Sequence, residues 1–195
     1  MDIALSGGSA PRPAYELAAE LEPDWSPATL WWGDERCVPP GDERSNYRLV
    51  RETVLDRIAV PPRAVHRIRG ELGGEAAAGE YDRLLEGVTL GLAFQGIGPD
   101  GHTASLFPGS PALDERELRA VAVPRDDVER VTMTLPVLCG AQVVLFLVLG
   151  QDKAEADARA FAGPPDPQVP ASLVRSTDGE TIVLLDRAAA ANLDN

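Results

Sequence analysis

The sequence predicts a single α/β domain over residues 1–195, with a Rossmann-like, mostly parallel sheet and helices on both faces. The first observation is a series of short, continuous apolar runs, which are typical of strands covered on both faces of a parallel sheet. The second is that patterns with helical spacing separate these runs. The third is that several runs end at glycine-containing turns, at the edge where open α/β sheets bind their ligands.

Six apolar runs are predicted as strands. They span residues 3–5, 29–32, 90–94, 120–123, 143–149 and 181–185, and the uninterrupted run at 143–149 is the clearest. A short edge strand with polar alternation is predicted at 65–68, where we expect His66 to be structural or to face solvent.

Helices are predicted over residues 13–20, 46–58, 75–86 and 152–161. Pro13 suits the first turn of a helix, because the N–H group that it lacks has no partner there. Residues 163–167 predict a stiff surface loop. The first strand begins almost at Met1, although a central strand is normally preceded by other elements. We therefore expect that a helix and a strand that would come before it are missing from this chain.

The composition excludes several classes of function. The formal net charge is −13, from 18 Lys and Arg against 31 Asp and Glu. This balance disfavours nucleic acid and membrane surfaces as partners, because both are bound through Lys and Arg. Cys37 and Cys139 have no metal-ligand spacing and fit a reduced, cytoplasmic location. No apolar run approaches the ~20 residues of a membrane-spanning helix.

Two turns that follow predicted strands carry candidate binding residues. Residues 6–11, Ser-Gly-Gly-Ser-Ala-Pro, lead into a helix, so their backbone N–H groups could cradle a phosphate. The alternative is a plain tight turn with an N-cap serine. Residues 33–39 place Asp34, Glu35 and Arg36 just after an aromatic strand. The alternative here is a solvated charge cluster.

A third turn, residues 96–109, presents Asp100 and His102. Its Gly-x-Gly-x-x-Gly pattern superficially matches a dinucleotide-binding fingerprint. However, it lies mid-chain and is followed by prolines rather than by a strand that ends in an acidic residue. We interpret it instead as a loop that presents His102 as a general base, since histidine titrates near neutrality. The alternative is a histidine that only caps the next helix.

Together, the three motifs resemble the 6-phosphogluconolactonases in order and spacing. The matching stretches are residues 6–11, residues 34–39 followed by Ser45-Asn46, and residues 96–109, and the likeness continues through 130–134, 150–154 and 183–189. The resemblance implies hydrolysis of a small sugar-phosphate lactone in the oxidative pentose phosphate pathway, without metal or cofactor. It also implies a fold shared with glucosamine-6-phosphate deaminases. Two departures are Ala10, where the family has threonine, and the helix and strand that the family has before the first motif.

The resemblance implies two groups of site residues. The phosphate would be held by the backbone and by two cations, namely Gly7, Gly8, Ser9, Arg130 and Lys153. The lactone would be bound and opened by His102, Asp34, Arg36 and Asp100. Lys153 is the only lysine in the chain, which fits a site that needs a compact ammonium group, or else a surface lysine that survived a codon bias.

The implied mechanism is general-base hydrolysis. His102 would take a proton from water as the water attacks C1, and the imidazolium would protonate the leaving ring oxygen. Either Asp100 or Asp34 would orient the imidazole. Either Arg36 or loop N–H groups would stabilise the oxyanion.

Other functions stay open at this point. An amino-sugar phosphate deaminase/isomerase of the same fold has a glutamate in the segment that follows the histidine, and residues 101–108 contain none. A non-catalytic sugar-phosphate-binding domain of a transcription regulator would carry a helix-turn-helix and a basic face, which are not visible here. An inactive truncated product is a further alternative. We expect a monomer, with a dimer as the alternative.

Overall fold

The computed structural model describes residues 1–193. It contains two β-sheets. Their strands are β1 (Asp2–Leu5), β2 (Thr29–Trp32), β3 (Asp34–Arg36), β4 (Ala64–His66), β5 (Leu92–Gln95), β6 (Ala120–Val123), β7 (Arg130–Met133), β8 (Val143–Val148) and β9 (Glu180–Leu185). The larger sheet is fully parallel and has the order β4-β2-β1-β5-β8-β9. In chain order its strands run 3-2-1-4-5-6, as in doubly wound Rossmann sheets, which confirms the predicted fold class. The order reverses between β1 and β5, and ligand crevices form at such a point.

The smaller sheet is antiparallel, with the order β3-β7-β6. Residues 120–123 do form a strand, as predicted, but in this sheet rather than in the parallel one. The expectation that residues 33–39 form only a turn is wrong, because Asp34–Arg36 pair with Arg130–Met133. Three charged residues carry no apolar pattern, so β3 exists only through this long-range pairing.

Five helices surround the sheets in residues 1–193. They are α1 (Pro11–Leu21), α2 (Asn46–Val50, extended by a π-helical turn at Arg51–Leu55), α3 (Gly74–Leu84), α4 (Leu135–Cys139) and α5 (Ala154–Asp157, extended by a π-helical turn at Ala158–Ala162). The four predicted helices are confirmed with shifted ends, whereas α4 was not predicted. α1 buries Pro11, Tyr15 and Ala19, which are spaced by four residues and so share one face. No helix in this part of the chain is long and apolar enough to cross a membrane.

A buried tyrosine fixes the point where β2 ends and β3 begins. Tyr81 of α3 donates its hydroxyl to the Trp32 carbonyl at 3.0 Å and accepts the Trp32 N–H at 2.8 Å. Burial raises the pKa of Tyr81, so the hydroxyl stays protonated and can keep both bonds. The last peptide of β2 is thereby satisfied without a neighbouring strand, and the chain can leave the parallel sheet there. At the sheet edge, His66 stacks on Trp31 with 4.3 Å between ring centroids, in line with a structural role.

Within residues 1–193, the β8–β9 end of the parallel sheet is covered more completely on one face than on the other. In β8, Val144, Phe146 and Val148 are buried. In the neighbouring strand β9, Ile182 and Leu184 remain 38% and 49% exposed. Burial therefore alternates along these two strands, as expected for strands with one solvated face.

Asp157, in α5, is a buried carboxylate, and no hydrogen bonds within residues 1–193 compensate for its loss of hydration. It has no exposed surface, and neither of its oxygens has a hydrogen-bond partner within residues 1–193. Burial raises the pKa of Asp157 to about 7, against the attraction of Lys153. Charging this group in the folded state is therefore unfavourable.

We expect Asp157→Asn to stabilise the protein at pH 8 and to have little such effect near pH 4. Between its ordinary pKa near 4 and the raised value of about 7, the carboxyl is protonated when folded and ionised when unfolded. Stability therefore falls as pH rises through this window, by at most about 1.4 kcal/mol per pH unit, and the neutral amide removes this loss. Urea denaturation at several pH values measures the effect. The exposed Asp178→Asn is the control, and a pH-independent difference for Asp157→Asn would contradict this account.

Candidate active site

A cavity of about 250 Å³ opens at the carboxyl ends of β1, β5 and β8. It lies where the strand order reverses, the position at which doubly wound sheets bind ligands. Its wall consists of residues 6–11, Asp34, Arg36, Asn46, residues 96–99, residues 102–104, Arg130, residues 147–149 and Lys153. Eight of the nine predicted site residues are in this wall, and the ninth, Asp100, hydrogen bonds to one of them.

The turn at residues 6–11 is anchored by a side chain of α1 and lines the cavity. The Tyr15 hydroxyl accepts the Ser6 N–H and donates to the Ser6 carbonyl, both at 2.9 Å. Gly8 has a φ of +97°, a conformation that residues with a side chain rarely adopt. α1 begins at Pro11, and its N-cap residue is Ala10, whose side chain makes no capping bond. The N-cap serine interpretation is therefore wrong. Pro11 and Pro13 have no N–H group, so the backbone donors that face the cavity come mainly from the turn before the helix.

Three cations converge on the cavity of this acidic protein. Arg36 and Arg130 lie directly opposite each other on β3 and β7, an arrangement that is repulsive for like charges. Arg130 is partly neutralised by Asp127, at 2.6 Å, and its side chain is only 14% exposed. Lys153 follows β8 and pairs with Asp152 at 2.9 Å. An anion bound between these groups would relieve the repulsion.

The third turn holds an aspartate–histidine pair. The Nδ1 atom of His102 lies 2.5 Å from Asp100 Oδ1, and the His102 N–H donates to the same oxygen. Burial tends to raise the pKa of Asp100, but the hydrogen bonds and charge of His102 outweigh burial and lower it. The imidazole packs on Phe107 with 4.5 Å between ring centroids. Because Asp100 engages Nδ1, Nε2 is the ring nitrogen left to act on a bound molecule.

Asp34 is not the partner of the imidazole. It is buried, and its carboxylate accepts the Ser105 hydroxyl at 2.6 Å and the Asn46 side-chain amide at 3.0 Å. Of the two carboxylates considered for orienting His102, Asp100 is the one that makes the contact. Asp34 instead shares one face of the small sheet with Arg36, because residues two apart on a strand point the same way.

A family model described as "Glucosamine-6-phosphate isomerases/6-phosphogluconolactonase" matches residues 1–183. The chain belongs to the glucosamine-6-phosphate isomerase/6-phosphogluconolactonase family. A 6-phosphogluconolactonase from Nostoc sp. is 36% identical over 201 residues, which cover 98% of this chain and 84% of that protein. A Homo sapiens 6-phosphogluconolactonase is 39% identical over 204 residues, with 96% of this chain and 79% of that protein covered.

Solved structures agree with the family assignment. The crystal structure of 6-phosphogluconolactonase from Thermotoga maritima superposes with a TM-score of 0.83 at 30% identity, covering 95% of this chain and 85% of that one. The glucosamine-6-phosphate isomerase/6-phosphogluconolactonase fold is therefore shared over nearly the whole chain.

Three polar residues of the site were missed by sequence reasoning. Asn46 lines the cavity, and Ser105 and Thr132 lie buried beside Asp34. All three lie in stretches that carry the family resemblance, but the local pattern gives none of them a chemical task. Burial and the charge of the nearby Glu129 raise the pKa of the Cys37 thiol to about 11, which disfavours the nucleophilic thiolate at neutral pH. Within residues 1–193, no cluster of His, Cys, Asp and Glu is arranged to hold a metal ion.

We expect Gly98→Ala to displace the His102 imidazole, because a Cβ at this position would overlap the His102 ring and the Asp100 carboxylate. The chain has only two histidines, so an imidazole ¹H–¹⁵N spectrum reports on both and His66 is an internal control. The His102 resonances should shift while those of His66 stay in place. Unchanged His102 resonances would show that Gly98 has no part in holding this pair.

Proposed function

We propose that this chain hydrolyses 6-phospho-D-glucono-1,5-lactone to 6-phospho-D-gluconate, a step of the oxidative pentose phosphate pathway, in the cytoplasm. The observation that carries the proposal is the Asp100–His102 pair in one cavity with Arg36, Arg130 and Lys153. A histidine base suits the activation of water, and the cations suit a phosphorylated substrate. The names of the Nostoc and human relatives support the same activity.

The substrate phosphate binds at the first turn, and two cations of the same cavity wall provide counter-charges. Its oxygens accept hydrogen bonds from the backbone of Gly7, Gly8 and Ser9, next to the N-terminus of α1. Arg130 and Lys153 balance its charge. This charge also offsets the repulsion between Arg130 and Arg36 across the small sheet.

The lactone lies towards His102. Nε2 of His102 takes a proton from a water molecule as the water oxygen attacks C1, and the carbonyl oxygen becomes an oxyanion beside Arg36. The bond between C1 and the ring oxygen then breaks, and the imidazolium returns its proton to that oxygen. Asp100 holds the imidazole in one orientation and stabilises its charged form. Asp34 lines this end of the cavity and has oxygen lone pairs free to accept a substrate hydroxyl.

A pH-stat assay with freshly prepared 6-phosphogluconolactone tests the proposal, because ring opening releases acid. The purified chain should accelerate acid release well above the spontaneous rate and should release no ammonia from glucosamine 6-phosphate. Ammonia release would instead favour the deaminase alternative. An unchanged rate of lactone opening would refute the proposal.

His102→Ala should lower turnover by roughly 10²–10⁴-fold, which is the usual contribution of a general base. Binding of 6-phosphogluconate, measured by calorimetry, should change little, because the phosphate contacts are intact. His66→Gln is the matched control, since His66 is not in the cavity wall, and it should keep full turnover. Full activity of His102→Ala would disprove its role as the base.

Arg130→Ala should mainly raise KM and change kcat much less. The phosphate is remote from C1, so its contacts stabilise the bound substrate and the transition state alike. Arg119→Ala is the control, because Arg119 pairs with Asp82 outside the cavity wall. A KM equal to that of the unmodified chain would show that the phosphate binds elsewhere.

A further inference from the structure

We propose that Asn46 is a positioning residue for the hydrolysis, and that its side-chain amide holds the Arg36 guanidinium and the Asp34 carboxylate in one arrangement at the lactone end of the cavity. The inference rests on the proposed function and extends it to a residue that takes no part in making or breaking covalent bonds.

The Asn46 amide bridges the two charged side chains. Its Oδ1 atom accepts a hydrogen bond from Arg36 Nη1 at 2.8 Å. Its Nδ2 atom donates to Asp34 Oδ1 at 3.0 Å and to the Asp34 carbonyl at 2.9 Å. Asn46 is 2% exposed, so these bonds face little competition from water. A primary amide is the group that offers a donor and an acceptor in one plane, and Gln would place it one carbon too far out.

The backbone around Asn46 is fixed from the opposite face of β3. The buried Glu35 carboxylate accepts the N–H groups of Asn46 and Tyr47, at 2.7 and 2.8 Å, and the Ser45 hydroxyl at 3.0 Å. Ser45 also caps α2 by accepting the Arg48 N–H. Burial raises the pKa of Glu35, and these hydrogen bonds act in the opposite direction by stabilising the charged carboxylate. Asn46 is therefore held in place before any substrate arrives.

Arg36 needs this support more than an ordinary surface arginine does. It faces Arg130 across the small sheet, and the two positive charges repel. Its Nε atom is buried and has no hydrogen-bond partner within residues 1–193. Within the same residues, its side-chain hydrogen bonds run from Nη1, to Asn46 Oδ1 and to the Arg44 carbonyl at 2.7 Å. Removing the amide leaves the guanidinium with one acceptor and a repelling neighbour.

Asn46 also supports the phosphate turn. A Cβ at Gly7 would overlap the Asn46 side chain, so the backbone of Gly7 lies directly against the amide. One buried side chain thus touches the turn proposed for the phosphate and the two charged groups proposed for the lactone. Small displacements of such groups cost up to about 100-fold in rate.

A double-mutant cycle with Arg36 tests whether Asn46 acts through the guanidinium. Asn46→Ala and Arg36→Ala should each lower kcat/KM by roughly 10–100-fold, and the double variant should lose clearly less than the product of the two single losses, because part of the Asn46 effect passes through Arg36. Thr53→Ala is the matched structural control, because the buried Thr53 hydroxyl bonds to the Leu49 carbonyl within the same helix and does not contact Arg36, Glu35 or Asn46. Any loss that it causes should multiply with that of Arg36→Ala. A multiplicative loss for Asn46→Ala would overturn the proposal.

The variant Asn46→Asp adds a readout that depends on pH. It keeps an acceptor for Arg36 but places a second carboxylate oxygen about 3 Å from Asp34, where two carboxylates share a proton. Its activity relative to the unmodified chain should rise as pH falls, because the protonated carboxyl donates to Asp34 as the amide does. The exposed Asn192→Asp controls for the charge change and should show a constant ratio. A constant ratio for Asn46→Asp would count against the bridging role.

A substrate-free measurement separates this inference from the proposed function. The Nε–Hε resonance of Arg36, assigned by its loss in Arg36→Lys, should shift in Asn46→Ala and stay in place in Asn192→Ala. If the unmodified chain fails to hydrolyse the lactone, the proposed function fails, while this resonance still reports whether Asn46 holds Arg36. An unmoved Arg36 resonance would overturn the inference by itself.

Discussion

The pairing of β3 with β7 is the interaction on which the site depends. Strand β3 continues almost directly from β2, and β7 begins at Arg130, nearly a hundred residues later in the chain. Their register sets Arg36 opposite Arg130 and Asp34 opposite Thr132 on a single face. Tyr81 satisfies the last peptide of β2, so the chain can leave the parallel sheet at this point. The parallel sheet supplies the crevice, and the small sheet supplies much of its charge.

The cavity gathers basic side chains, although the protein as a whole is acidic. The chain carries a formal charge of −13, yet its cavity gathers Arg36, Arg130 and Lys153. Arg36 and Arg130 face each other, and their like charges repel. The ion pair of Arg130 with Asp127 and the hydrogen bond of Arg36 to the Asn46 amide offset only part of this repulsion. In the proposed function, the phosphate of the substrate completes the charge balance. The acidic surface favours solubility, whereas the cations of the cavity would select an anionic substrate in the proposed function.

The parallel sheet could be predicted from the sequence, whereas the small antiparallel sheet could not. The buried parallel strands β1 and β2 are apolar runs, as is the partly covered β8, so these strands can be recognised from the sequence without knowledge of their neighbours. β3 consists of three charged residues, and only its partner makes it a strand. The same limit applies to the site. The three motif turns could be placed from the sequence because strand ends lie at one edge of the sheet. Asn46 and Ser105 act through contacts with distant segments, which no local pattern encodes.

A crystal structure with bound 6-phosphogluconate tests the central claim most directly, namely that one cavity binds a phosphate at one end and presents a carbonyl carbon to His102 at the other. The account predicts the phosphorus next to the backbone of Gly8, between Arg130 and Lys153. It also predicts the C1 carboxylate within hydrogen-bond reach of His102 Nε2, with Arg36 beside it. A ligand in the reverse orientation, or one bound outside the crevice between β1 and β5, would contradict it.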